Sequence, residues 1–304
     1  MYNHFFGFDA EPFRVNPDPR FFYASESHRE ALATLVYAVR ERKGFIVLTG
    51  EVGTGKTTVL NALLRTLDPD VQTAYIFNTV LSLEDFFTYV FDELGLEPVE
   101  PFRKSAALHR LNNYLIDRLR KGKQTLLIID EAQNLSAELL EEIRMLSNLE
   151  TPQSKLIQIM LVGQPELDLK LHRPELRQLR QRVELCFRLE TLTPRETIEY
   201  VRERLLIAGH DTGQLFTSAA LRAVHSCSRG IPRVINVLCD NALLTAFARE
   251  IPRISTRVVD EAAKEIGLSD WDPLPEPAET VRAVRVGWLR RLFGRPRMNG
   301  NARG

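Results

Sequence analysis

Up to about residue 190 the chain alternates short apolar runs with segments whose apolar residues recur every three or four positions. The runs at 45–49, 71–77, 125–129, 156–162 and 183–189 have strand length, and 125–129 in particular reads as a strand buried on both faces. Between them the helical period takes over. Residues 28–43 carry Ala31, Leu32, Leu35, Val36 and Val39 on one face and are expected to stop at Gly44. Ser82 with Asp85 predicts a capping box for a helix that Gly95 ends. Residues 105–121 place Leu108, Leu111, Leu115 and Leu119 together, and helices over 136–149 and 166–171 follow. Alternation of this kind predicts a doubly wound parallel sheet. After residue 190 only the helical period remains. Thr193, Pro194 and Glu196 open a helix to Ala208, Thr217 starts another, Pro232 leads a long apolar one to Phe247, and a last covers 256–266.

Both ends differ in texture. Residues 1–25 are rich in aromatics and prolines (Phe5, Phe6, Phe8, Phe13, Tyr23, Pro12) and are expected as an extension packed on the core rather than a disordered arm. The organisation expected is therefore 1–25 extension, 26–190 α/β domain, 191–268 helical domain and 269–304 linker and tail. Residues 280–304 hold Arg282, Arg285, Arg290, Arg291, Arg295, Arg297 and Arg303 with no acidic residue, and Val281, Val284, Trp288, Leu289, Leu292 and Phe293 add an apolar stripe. Such a segment suits an anionic membrane surface through residues 280–297, or a partner protein; a solvated tail is the alternative.

Composition narrows the class. The chain has 304 residues, 44% hydrophobic and 26% charged, with forty basic and forty acidic side chains. Zero net charge gives no global sign of nucleic acid, although the cluster Arg118, Arg120, Lys121 and Lys123 leaves a local contact open beside its simpler reading as cations at a helix C-terminus. Cys186, Cys227 and Cys239 lack metal spacing and are expected to pack as small apolar groups in a reducing compartment. With neither a signal pattern nor eighteen consecutive apolar residues, a cytoplasmic address is expected, with peripheral docking at the inner membrane.

The chemistry gathers at strand ends. Gly50-Glu51-Val52-Gly53-Thr54-Gly55-Lys56-Thr57-Thr58 satisfies G-x-x-x-x-G-K-[ST] between a strand and a helix. Glycines let backbone N–H groups turn toward phosphate oxygens, and the helix beginning at Lys56 adds the positive end of its dipole. Lys56 is expected to reach the outer phosphates and the Thr57 hydroxyl to ligate magnesium. The run 125–129 delivers Asp130 and Glu131: Asp130 to hold magnesium, Glu131 to orient and deprotonate an attacking water. Gln164 follows another strand and is either a phosphate-side polar group or a turn residue. Arg177, Arg180 and Arg182 precede the last strand.

This order of parts resembles the AAA+ ATPases. The segments around Tyr2–Phe8, Pro12-Phe13 and Ser27–Leu32, with Asp130–Leu135, Ser147–Glu150, Val162–Leu167 and Leu176–Arg182, resemble the ExeA/GspA-like general secretion pathway ATPases and their exosortase-associated relatives. The resemblance implies a five-stranded parallel P-loop sheet followed by a small helical lid, ATP and Mg2+ as ligands, and hydrolysis to ADP and phosphate. It implies Gln164 at the sensor 1 position, Arg233 as sensor 2 from the lid, and Arg182 as an arginine finger reaching a neighbouring subunit, with Arg180 and Arg177 as rivals. A finger in trans implies a homo-oligomer. The implied role is ATP-driven assembly of an envelope secretion or export apparatus, with an inner-membrane component as partner. The alternative is an ATP-dependent DNA-binding regulator of the MuB/TnsC transposition type, discriminated by salt-dependent DNA binding.

Overall fold

The computed structural model describes residues 1–268 apart from 15–18, 22, 78–80 and 152–153. These residues lie in one compact unit, Met1–Asp272, which opens with a one-turn helix, α1 (Asn3–Phe6). The linker and the arginine-rich tail expected at 269–304 lie outside the described residues.

Five strands form one wholly parallel sheet: β1 (Phe45–Gly50), β2 (Val71–Ile76), β3 (Gln124–Ile129), β4 (Gln158–Gly163) and β5 (Val183–Leu189), in the order β2-β3-β4-β1-β5. Side chains alternate across it, as strand geometry requires. Ile46, Leu48, Leu126, Ile128 and Met160 face one layer, which α2 (Glu26–Arg40) and α3 (Lys56–Thr66) cover with Ala31, Leu35, Leu60 and Leu63. Val47, Leu127, Ile129 and Leu161 face the other, covered by α4 (Leu83–Leu94), α5 (Lys104–Arg120) and α6 (Ala137–Leu146). Parallel strands place all their C-terminal ends on one edge. β3, β4 and β1 are neighbours there, so the residues following them are forced together.

Chain exits differ from simple glycine stops at one point. α2 ends at Arg40, and the left-handed residue is Arg42 (φ 52) rather than Gly44. A Cβ on Gly44 would lie 2.8 Å from the flexible end of the Lys155 side chain, which could shift to admit it. α6 stops at Leu146, three residues short of expectation: the N–H groups of Ser147, Asn148 and Leu149 turn to the carbonyls of Arg144, Met145 and Leu146, and the Ser147 hydroxyl also donates to the Arg144 carbonyl at 2.7 Å. Both expected capping boxes are present, at Ser82/Asp85 and Thr193/Glu196.

The helical part comprises α9 (Pro194–Ile207), α10 (Ser218–Ser228), α11 (Pro232–Ala248) and α12 (Thr256–Glu265). Its core takes in Tyr2, Phe6, Phe8, Phe13 and Phe21, so the N-terminal extension seats its aromatics in the helical layer rather than on the sheet. Arg204 of α9 fastens it: 7% exposed, it donates Nε to the Pro12 carbonyl at 2.6 Å and Nη2 to that of Arg14 at 3.3 Å, while its guanidinium stacks 4.7 Å from the Phe21 ring. Of the cysteines, Cys239 is buried as expected, but Cys186 lies on the edge strand β5 and is exposed. Burial alternates along Val183–Phe187 of this edge strand, and Cys186 falls on its more exposed face.

Candidate nucleotide site

The loop after β1 is built on two left-handed glycines, Gly53 (φ 82) and Gly55 (φ 102). A Cβ on Gly53 would sit 2.5 Å from the Arg233 Cβ, and one on Gly55 2.6 Å from the His28 Nε2, so neither position accepts a side chain. Thr54 is fully buried, its hydroxyl donating to the Glu51 carbonyl at 2.8 Å. Lys56 begins α3 and is 7% exposed, with Nζ donating to the carbonyls of Gly50 (2.8 Å) and Glu51 (3.1 Å). Burial lowers its ammonium pKa, while the carboxylates of Glu131, Asp130, Glu51 and Glu166 pull it up. The Thr57 hydroxyl is exposed on the first turn of α3.

At the end of β3, Asp130 is buried: one carboxylate oxygen accepts from the Tyr75 hydroxyl at 2.7 Å and the other from the Glu131 N–H at 2.9 Å. Burial, then the Asp130 bond and charge, raise the Tyr75 pKa, so this phenol stays a donor. Glu131 itself adopts φ 52, ψ 35. For a residue with a Cβ this left-handed backbone costs about 1–2 kcal/mol, and it turns the chain sharply enough to present the carboxylate beside the loop. Glu131 Oε2 accepts from Gln133 Nε2 at 2.6 Å and Gln164 Nε2 at 3.2 Å. Gln133 Oε1 in turn accepts the Gln164 N–H at 3.1 Å. Gln164 caps α7 (Pro165–Leu171), and it reaches Glu131 by its side chain, more than a turn residue requires.

The loop residues, Asp130, Glu131 and Gln164 thus converge at one edge, and Arg233 joins them from the first turn of α11, with its N–H donating to the Gly53 carbonyl at 3.2 Å. Its side chain is exposed. The finger candidates stand apart. Arg177, Arg180 and Arg182 lie on α8 (Arg177–Arg182), which enters β5 where Val183 pairs with Phe45 at the start of β1. They are separated from their own loop by the length of β1, roughly 20 Å. Arg182 donates to Asn148 Oδ1 at 2.7 Å, an amide rather than an acid, whereas Arg177 and Arg180 are exposed.

Three contributors carried no role in the sequence reading: His28, Tyr75 and Gln133. Ser25-x-x-His28 ahead of the loop and Gln133 three residues after Asp130 were visible as strings, but only the tertiary contacts give them meaning.

The donors offered suit a small hard cation with phosphates. Thr57 and Asp130 present oxygen, Lys56 a buried ammonium, and the loop backbone can close around an anion only because Gly53 and Gly55 lack Cβ atoms.

Comparison with known proteins agrees with this geometry. An AAA domain family model matches residues 39–171. General secretion pathway protein A of Aeromonas hydrophila is 43% identical over 275 residues, 89% of this chain and 49% of that protein. ATP-dependent target DNA activator B of Escherichia phage Mu is 30% identical over 147 residues, 48% of this chain and 43% of that protein. The chain therefore spans about half the length of the curated relatives it matches. Among solved structures, Aeropyrum pernix ORC2 (TM-score 0.61, 18% identity, 87% of this chain and 75% of that one) and Drosophila ORC bound to DNA (0.63, 18%, 84% and 64%) share the fold. Residues 39–171 match an AAA domain, the chain has a parallel P-loop sheet and a helical C-terminal region, and it resembles the ExeA/GspA-like ATPases of the general secretion pathway.

Proposed function

We propose that the chain binds and hydrolyses Mg-ATP as a homo-oligomer and uses the cycle to drive assembly of an envelope secretion or export apparatus. The observation that carries the catalytic part is the convergence of Lys56, Asp130, Glu131 and Gln164 on one sheet edge, with Glu131 oriented by two amides. In this reading the N–H groups of residues 51–57 hold the phosphates and Lys56 turns its ammonium from the loop carbonyls to the outer phosphate oxygens. Thr57 and Asp130 would hold the magnesium ion, which when bound neutralises charge on those oxygens. Glu131 accepts a proton from the attacking water, and Gln164, already within reach of Glu131, orients that water or the terminal phosphate. Arg233, carried by the helical domain and backed onto Gly53, supplies a cation from the lid side.

The finger belongs in trans in this account. The position of α8 at the start of β5 separates Arg182, Arg180 and Arg177 from their own loop by a strand length, so they serve a neighbouring subunit. The 43% identity to a protein named for general secretion favours an envelope role, with an inner-membrane component as partner. Among the described residues no helix is long and apolar enough to cross a membrane; residues 280–297 are proposed to meet the anionic surface. The likeness to a phage DNA activator over 147 residues supports a second reading, an ATP-dependent DNA-binding regulator. Phosphate release with and without Mg2+, in wild type and Glu131→Gln, tests the chemistry; anionic vesicles and duplex DNA added in parallel choose between the two readings by which one stimulates turnover.

A further inference from the structure

His28 lies on α2, outside the phosphate loop, yet its imidazole touches that loop directly. Nε2 is 2.9 Å from the Thr54 carbonyl and Nδ1 is 2.5 Å from the Ser25 hydroxyl. A carbonyl only accepts, so Nε2 carries the hydrogen. With Nε2 carrying the ring hydrogen in the neutral form, Nδ1 accepts from the Ser25 hydroxyl, whose oxygen also accepts the His28 N–H at 3.2 Å. The ring, 5% exposed, is therefore satisfied at both nitrogens as the neutral Nε2–H tautomer.

The bond to Thr54 acts on the loop through peptide geometry. In a planar trans unit the carbonyl and the following N–H point in opposite directions. Holding the Thr54 carbonyl toward α2 aims the Gly55 N–H away from it, into the concave side of the loop. The ring also fills the space a Gly55 side chain would need, so the loop cannot relax toward α2.

Helix α2 is itself pinned at its N-terminus. Ser25 is its cap; the Glu26 N–H donates to Glu196 Oε1 at 3.0 Å, on the first turn of α9; and the Glu190 N–H donates to the Ser27 hydroxyl at 3.0 Å. The imidazole thus stands between a helix end tied to the helical domain and the backbone that would cradle phosphate. We propose that His28 is a positioning residue of the nucleotide loop: it fixes the Thr54–Gly55 peptide for phosphate binding and carries the seating of α2 on the helical domain to the nucleotide site.

This inference rests on the Mg-ATP reading. The test is equilibrium binding of a fluorescent ATP analogue with Mg2+, together with KM and kcat, in wild type, His28→Leu, His28→Gln and Lys56→Ala. Glutamine places an amide N–H close to where Nε2 lies, so it retains the donor that leucine lacks. Expected are a Kd and KM raised about tenfold in His28→Leu, the equivalent of one hydrogen bond, with kcat changed less, and recovery to within about threefold in His28→Gln. A merely structural role would show no such rescue. Wild-type affinity in His28→Leu, or equal weakening by leucine and glutamine, overturns the inference while the nucleotide reading stands. Absence of wild-type binding, or unchanged affinity in Lys56→Ala, overturns that reading and the inference with it.

Discussion

Replacing Gln133 by alanine removes the clamp on Glu131. The side chain makes two bonds in the site, Nε2 to the Glu131 carboxylate at 2.6 Å and Oε1 from the Gln164 N–H at 3.1 Å. The first involves an ionised partner and is worth about 1.5–3 kcal/mol net; the second, neutral, is worth about 1 kcal/mol. Neither bond reaches the phosphate-loop residues 50–58, so ground-state nucleotide binding should be nearly untouched. What changes is the placement of Glu131, which loses its shorter amide contact and keeps the longer one to Gln164 at 3.2 Å. A displacement of about 1 Å in a general base costs about a hundredfold, and partial retention by Gln164 reduces that. The expected outcome for Gln133→Ala is kcat lowered about 10- to 100-fold with Kd for ATP within about twofold. Steady-state phosphate release alongside equilibrium binding reads both. An unchanged or faster kcat would refute the claim that Gln133 orients Glu131; a parallel loss of affinity would mean that it shapes the loop instead.

Gly53→Ala forces a Cβ to within 2.5 Å of the Arg233 Cβ at φ 82, so it should push α11 from the loop and weaken ATP binding at least about tenfold, read by nucleotide titration. Arg204→Leu leaves the Pro12 and Arg14 carbonyls without their buried donor and should cost about 3 kcal/mol, a fall of about 6–10 °C in Tm by calorimetry; a change of less than about 2 °C would contradict the fastening role. Burial holds the His28 pKa below its ordinary value of 6.5 against the opposing pulls of the Thr54 carbonyl and Glu196. The unfolded chain then takes up the proton first, so this contribution to stability is present above about pH 6.5 and is lost as pH falls toward the folded value. Denaturant unfolding from pH 7 downward should show a shallower loss in His28→Gln than in wild type.

Local signals carried most of the sheet. Five apolar runs, the capping boxes at Ser82 and Thr193 and the phosphate loop are each specified by residues close in sequence, and β5 matches its expected bounds, Val183–Leu189. Misreadings fall where a distant residue decides. Gly44 reads as a helix stop, but α2 ends at Arg40 and the left-handed turn falls on Arg42. Cys186 sits in an apolar string, yet edge position exposes it. The aromatic N-terminus was legible as a packed segment; that it enters the helical core depends on Arg204 and the Asp240 partner of the Tyr2 hydroxyl, far along the chain. Within the site, motif spacing specifies groups that would touch ligand, while His28 and Tyr75 support those groups from distant positions, and Gln133, though close in sequence, shows its role only through its contacts.

In the proposed mechanism, hydrolysis needs Glu131 in one subunit and an arginine of α8 in the next. The most direct measurement mixes Glu131→Gln with a variant carrying alanine at Arg177, Arg180 and Arg182, each first shown to bind ATP. Each alone should be nearly inactive, and turnover should reappear on mixing, because an interface then pairs an intact Glu131 with intact arginines. Full turnover by the arginine variant alone, or no recovery in mixtures that assemble together, would contradict the account.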